Sequence, residues 1–255
     1  MLAAERRNLI LDEVYEKKKV VVSELSKEFD VSEETIRRDL DRLEEEGHVI
    51  KSYGGAVLND KSSIDLPFKV RRNANPTGKQ KIAELVSEQI EDGDHIILDA
   101  STTAVFIAKN IKQKNRLTVL TNSIENLLEL SDVPGWEILS TGGTLKAGSM
   151  SLVGRKTADS FQNYNADKVF LSCKGLDMQK GITDGNDETG SMKQTMIQAA
   201  RKVYLVADHL KFGNVAFAKI CDLSEIDVII TDQKPENHWL DYLDRMGISC
   251  LYPED

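Results

Sequence analysis

The sequence predicts an α/β protein in two parts, a short helical module closed by a hairpin and a larger unit built on a mostly parallel sheet. Three observations predict it. Residues 1–58 are dense in charge, with apolar residues at helical spacing. Residues 59–78 mix polar, Pro and Gly residues without a sustained apolar period, which marks a linker. Across residues 79–255, apolar runs at 95–99, 117–122, 136–140, 167–172, 202–208 and 227–232 alternate with amphipathic stretches of helical length, the pattern of a layered α/β domain.

Composition narrows the class. The chain has 255 residues, 40% of them hydrophobic, enough for a sizeable core and too apolar for disorder. Its net charge of −9 excludes a protein that coats nucleic acid through bulk charge. Even residues 1–58 hold ten Lys/Arg against fourteen Asp/Glu, so any DNA-binding surface there has to be a local basic stripe. Cys173, Cys221 and Cys250 are odd in number and far apart, with no C-x-x-C pair, so they read as core thiols in a reducing compartment. No metal site and no cofactor is expected. The first ten residues carry Glu5, Arg6 and Arg7 in place of an apolar signal region, and no apolar run approaches the ~20 residues of a membrane span. The expectation is a cytoplasmic protein without a membrane partner.

The elements of the first module follow in order. A helix over 4–16 gathers Leu9, Ile10, Leu11 and Val14 on one face, and Val20-Val21-Val22 leads to Ser23, an N-cap for a second helix through Phe29. Asp30-Val31 is a tight turn. Ser32 then caps a third helix whose first turn carries Glu33 and Glu34, favourable against the helix dipole, and Gly47 ends it. Ile36, Leu40 and Leu43 form its inward stripe, which turns Arg38 outward with Thr35, Arg37 and Arg42 around it. Arg pairs with guanine edges or phosphates and Thr with phosphates or thymine methyls, so this is a chemically apt major-groove face. A solvated helix face with i,i+4 charge pairs is the plainer reading. Residues 48–53 read as a strand, Gly54-Gly55 as a turn and Ala56-Val57-Leu58 as the return, a hairpin that makes the module a winged helix-turn-helix.

In the larger unit, Asp99-Ala100-Ser101-Thr102-Thr103 links the strand at 96–98 to a helix over 104–111. Hydroxyls and free N–H groups at such a turn suit a phosphate or carboxylate, or simply cap the helix. Asn122 and the pair Gly142 and Gly143 end the next two strands, where ligands collect in open α/β sheets. Dinucleotide and P-loop fingerprints are missing, and 184–187 lacks the spacing of a calcium loop.

The segment from Arg6 through Ile10, Val14 and Ser32 to Thr35-Ile36-Arg37-Arg38-Asp39-Leu40 resembles the DNA-binding module of the DeoR family of regulators. The likeness continues through Tyr53-Gly54-Gly55-Ala56, Pro67-Phe68 and Arg71-Arg72 into the second unit. It implies operator DNA as partner, contacted by Ser32, Thr35, Arg37, Arg38, Arg42, Lys51, Tyr53 and Gly54. It further implies a C-terminal fold related to sugar-phosphate isomerases that binds a small phosphorylated sugar. Asp99, Ser101, Thr102, Thr103, Asn122, Gly142, Gly143, Lys174, Glu188, Lys193, Asp208 and Lys211 are the effector-site candidates. Ser101 stands where the family usually has Gly, and Lys174 where it has a small residue.

The resemblance therefore implies a repressor, or alternatively an activator, of a sugar-utilisation operon, acting as a homo-oligomer (dimer or tetramer) on repeated half-sites. Two other classes remain beside it. One is an isomerase-like enzyme using Asp99, Glu188 and Lys193 with an accessory winged helix. The other is an adaptor whose winged helix docks protein.

Overall fold

The computed structural model describes residues 2–45, 48–58 and 68–254. The chain divides at Pro76–Thr77 into two compact units. The helix end assigned to Gly47, the linker stretch 59–67 and Pro67 lie outside the described residues.

The N-terminal unit runs α1 (Ala3–Lys17), β1 (Lys19–Val21), α2 (Val22–Glu28), α3 (Glu33–Glu45), β2 (Val49–Ser52) and β3 (Gly55–Leu58). Its sheet is antiparallel in the order β1-β3-β2, so the wing has three strands where sequence reading found two. The entry Val20-Val21-Val22 supplies the third. Pairing continues to Val21, and the Val22 N–H donates to the Gly54 carbonyl at 2.9 Å. The strand thus feeds α2 directly, and Ser23 lies inside the helix, not at its N-cap. Gly55 is required here because a Cβ would collide with the Val20 carbonyl. Ile10, Leu11, Val14, Leu25, Ile36, Leu40, Leu43, Val49 and Ala56 form the core. Leu9, expected on the inner face of α1, is 43% exposed, because an α-helical turn carries only its neighbours Ile10 and Leu11 inward.

Next come α4 (Phe68–Asn73) and α5 (Pro76–Glu88), so the described part of the expected linker is largely helical. The second unit continues with β4 (His95–Leu98), α6 (Thr102–Asn110), β5 (Thr118–Thr121), α7 (Ile124–Leu130) and β6 (Glu137–Ser140). A hairpin of β7 (Thr144–Lys146) and β8 (Ser151–Val153) precedes α8 (Arg155–Gln162) and β9 (Ala166–Leu171). Then follow β10 (Gly175–Asp177), β11 (Gly181–Asp184), α9 (Asp187–Gln198), β12 (Ala200–Val206), β13 (Ala218–Cys221), β14 (Val228–Ile230), α10 (Asn237–Arg245) and β15 (Ser249–Leu251).

The main sheet has seven parallel strands in the order β15-β14-β12-β9-β4-β5-β6. Strand residues alternate between two cores: Ile97, Val169, Leu171 and Leu205 on one face, Ile96, Leu98, Phe170, Tyr204 and Val206 on the other. Burial on both faces is why the strands read as unbroken apolar runs. A small antiparallel sheet, β10-β11-β13, adjoins. From β4 the chain builds through β5 and β6 to one edge, and from β9 through β12, β14 and β15 to the other. The order therefore reverses between β4 and β9, which opens a crevice at their C-terminal ends.

Candidate functional site

On α3 the buried stripe of Ile36, Leu40 and Leu43 turns Arg37, Arg38 and Arg42 to solvent, while Thr35 is half-buried. Ser32 is the N-cap: its Oγ accepts from the Thr35 N–H at 3.2 Å and lies 2.9 Å from Thr35 Oγ1. Arg37 pairs with Glu33 at 2.6 Å and Arg42 with Glu45 at 3.0 Å. Lys51 of β2 pairs with Asp41, which raises the Lys51 pKa through the hydrogen bond, and its backbone N–H donates to Glu44 at 2.8 Å. Arg38 alone of the three α3 arginines has no side-chain hydrogen bond or ion pair among the described residues. Tyr53 is fully exposed beside Gly54 at the wing tip.

One contact went unread in the sequence. Arg6 of α1 donates to Asp39 of α3 at 2.6 Å, both under 10% exposed, and Arg7 lies 3.6 Å from the same carboxylate. Asp39 thus fixes α3 to α1. Its signal was a carboxylate at position 39, one residue before Leu40 on the inward side of an otherwise outward-charged helix.

At the switch point, Asp99 is fully buried. Its Oδ1 accepts from the Ser101 N–H at 3.0 Å, and its Oδ2 from the Ser172 N–H, beyond β9, at 2.9 Å. Lys193 of α9 donates to the Ser172 carbonyl at 2.6 Å and Asp184 Oδ2 at 2.7 Å, and lies 3.4 Å from Asp99 Oδ2. Three acceptors meet its three N–H groups. Burial alone would lower the Lys193 pKa, but Asp184 and Asp99 outweigh it and hold the ammonium above its ordinary value. Burial would raise Asp184, but Lys193, the Gly185 N–H and Lys174 prevail and hold it low.

The other candidates divide around this cluster. Asp208 and Lys211 share its field: with Lys193 and Asp184 they act on the Cys173 thiol, which burial pushes up to about 12. Asp208 caps a short 3-10 turn by accepting from the Leu210 N–H at 3.1 Å. The Lys174 side chain lies against the Gly185 backbone, where a Cβ would displace it. Ser101 Oγ accepts from the Ala104 N–H at 3.0 Å, so this hydroxyl is the cap of α6, which starts at Thr102, two residues earlier than expected. Thr102 and Thr103 are buried in that first turn.

Three more lie further out. Asn122 is clamped to β8, its Nδ2 donating to the Leu152 carbonyl at 3.0 Å. Gly142 and Gly143 pack on α8, where Thr157 Oγ1 donates to the Gly142 carbonyl at 2.8 Å and leaves no room for a Cβ at Gly143. Glu188 is half-exposed and paired with Lys146 of β7 at 2.9 Å, so it links the hairpin to α9 and is not among the contacts of Lys193.

Asp184 was missed, as was Asp232, 2% exposed, whose carboxylate accepts from the His209 N–H at 2.7 Å and lies 3.0 Å from His209 Nδ1. Both had a signal in common with Asp99 and Asp208: an aspartate at the C-terminal end of an apolar strand.

Residues 6–62 match the family model of the DeoR-like helix-turn-helix domain, and residues 74–233 that of the DeoR C terminal sensor domain. The chain is 41% identical over 232 residues to the uncharacterized HTH-type transcriptional regulator YulB of Bacillus subtilis, covering 91% of this chain and 90% of that protein. It is 36% identical over 254 residues to the HTH-type transcriptional repressor GlcR of the same species, covering 100% and 98%. With the glycerol-3-phosphate regulon repressor of Escherichia coli it shares 30% identity over 235 residues, covering 92% and 93%. Among solved structures, ribose 5-phosphate isomerase A of Methanocaldococcus jannaschii aligns with 55% of each chain at 13% identity and a TM-score of 0.40.

Proposed function

Because this chain belongs to the DeoR family of transcriptional regulators, we propose that it represses a sugar-catabolic operon and is released from its operator by a phosphorylated sugar bound at the β4–β9 crevice. The observation that carries this reading is Arg38, exposed opposite the buried stripe of α3 and without a side-chain ion pair among the described residues. Presented to the major groove, it reads a base edge, with Arg37, Arg42, Lys51 and the wing tip on the phosphates. The names of the relatives, a repressor and a glycerol-3-phosphate regulon repressor, support the rest.

The crevice supports sensing over catalysis. An isomerase needs a carboxylate base free beside a cation, yet Asp99 and Lys193 are saturated by each other, Asp184 and Ser172, and Glu188 is held by Lys146. A sensor needs only a ligand with different affinities for two states of the protein, and no bond has to be made. No helix among the described residues is long and apolar enough to cross a membrane. Action as a dimer or tetramer in the cytoplasm belongs to the same proposal, since one winged helix reads too few base pairs to select a site.

The test is anisotropy or gel-shift binding to DNA from upstream of the protein's own operon, at fixed salt, with a panel of sugar phosphates. Specific binding lost on adding one phosphosugar is the expected result. Turnover of a phosphosugar without specific DNA binding would overturn it.

A further inference from the structure

The wing strand β2 is anchored at one end only. Val49 lies in the core, whereas Ile50, Lys51 and Ser52 are exposed and Tyr53 at the tip is fully so. In the order β1-β3-β2 it is an edge strand, and backbone groups on its outer side have no strand to pair with. One such donor, the Lys51 N–H, is taken by a side chain: Glu44 Oε1, in the last turn of α3, accepts from it at 2.8 Å. Asp41, one helical turn earlier, holds the ammonium of the same lysine. Among the described residues no other side chain bonds to β2.

A carboxylate at this place is unfavourable on two counts, since it repels phosphate and adds to the negative end of the helix dipole. What it gains is a charge-assisted bond to the backbone of a different element, made without any core contact. That bond fixes β2 relative to α3, and with it the span from Arg38 to Tyr53. Because the bond is to the backbone of Lys51, the ammonium can exchange Asp41 for a phosphate without loosening the wing. We propose that Glu44 is a positioning residue for DNA binding: it touches no DNA, and it holds the wing against α3 so that both reach one operator together. This rests on residues 1–58 being the operator-binding module, and it deepens that reading. Glu44 is a residue that neither helical period nor family likeness had singled out.

The experiment compares Glu44→Gln with Glu44→Ala in the full chain, by anisotropy on DNA from upstream of its own operon and on unrelated DNA of equal length. Both variants remove the charge, and only Glu44→Gln keeps an oxygen that accepts from the Lys51 N–H. On unrelated DNA the two should bind alike, each somewhat tighter than wild type because one repelling charge is gone. On the operator Glu44→Ala should bind about five-fold more weakly than Glu44→Gln, the equivalent of about 1 kcal/mol and the usual worth of one hydrogen bond. Hydroxyl-radical footprinting of Glu44→Ala should lose protection where the wing lies and keep it where α3 lies.

If Glu44→Gln is as weak as Glu44→Ala on the operator alone, the proposal is overturned, because the carboxylate would then read a base directly, as a carboxylate does a cytosine amine. Equal operator preference in both variants and wild type overturns it too and leaves the bond a matter of local stability, whatever the melting temperatures. Protection lost under α3 as well would mean that the helix itself has moved, which also overturns it. A wild-type chain with no preference for the upstream DNA removes the operator reading and the positioning role together, and so is told apart from failure of the proposal alone.

Discussion

On α3, Arg37 and Arg42 hold carboxylates in the open; at the β4–β9 crevice, Lys193 holds two carboxylates sealed from water. The chemistry of the pairs is alike and their consequences are opposite. An exposed pair contributes about 0–1 kcal/mol and exchanges readily for a phosphate. Breaking a buried one strands a charge without solvent, at about 3–5 kcal/mol. The difference separates residues that meet a ligand from residues that hold a site in shape, and we propose that Lys193, an effector candidate by family likeness, belongs to the second group.

Replacing Lys193 by Met breaks the comparison most forcefully. It leaves Asp99 and Asp184 facing one another, and the C-terminal unit should lose about 3–5 kcal/mol, or roughly 10 °C in melting temperature for a unit of this size. A stable variant with only its ligand response blunted would show that the ammonium is a ligand contact after all. Acid probes the same cluster more gently. Because the folded state holds Asp184 below its ordinary 3.8, its contribution is complete above that value and is lost as pH falls through the lower folded one. Lys193 is held above 10.5, so its contribution is complete below 10.5 and is lost only as pH rises through the higher folded value. Denaturant unfolding should find this cluster contributing no slope between about pH 5 and 9, and Asp184→Asn should flatten the acid limb.

The buried pair of the N-terminal unit comes next. Asp39→Ala strands Arg6 and should cost about 2–4 kcal/mol, with operator binding lost because α3 is no longer anchored to α1. Proteolysis of residues 1–58, with the C-terminal unit intact, checks it. Arg38→Ala stands between the buried and the exposed cases: the side chain is exposed, so the melting temperature should hold, yet operator affinity should fall by about 1–3 kcal/mol and base preference relax at one position. Equal weakening on all DNA would reassign Arg38 to a phosphate.

Much of this was legible in the sequence, for a physical reason. The parallel strands announced themselves because both faces of each are buried, so runs such as Ile96-Ile97-Leu98 have no polar gaps. Ser32 as a cap and the outward turn of Arg38 followed from one helical turn of sequence. What escaped depends on distant partners. The three residues of β1 became a strand only by pairing with β3, more than thirty positions away. The hairpin of β7 and β8 is short and has no apolar period of its own. Lys193 was an effector candidate by family likeness, but its partners became legible only when the sheet order set β9 beside β4 and brought Asp99, Ser172 and Asp184 around it. Ser101 was readable in two ways, and the bond from Ala104 shows that its hydroxyl caps α6 without testing the anion reading.

The smallest expected effect sharpens the contrast most, because it runs the other way. Glu33 occupies Arg37 across one helical turn, with both side chains about half-exposed. Removing it by Glu33→Ala should cost only about 0.3–0.5 kcal/mol of stability. DNA affinity should rise a few-fold, since Arg37 no longer has to leave a carboxylate to meet a phosphate and one repelling charge is gone. Because that phosphate carries no sequence information, the gain should appear equally on operator and unrelated DNA, and the slope of log affinity against log salt should steepen by about one. Titrating both DNAs at several salt concentrations decides it. A gain confined to the operator would mean that Arg37 reads a base; a loss would mean that Glu33 orients Arg37 for its contact, and an exposed pair would then be doing what the buried pairs do.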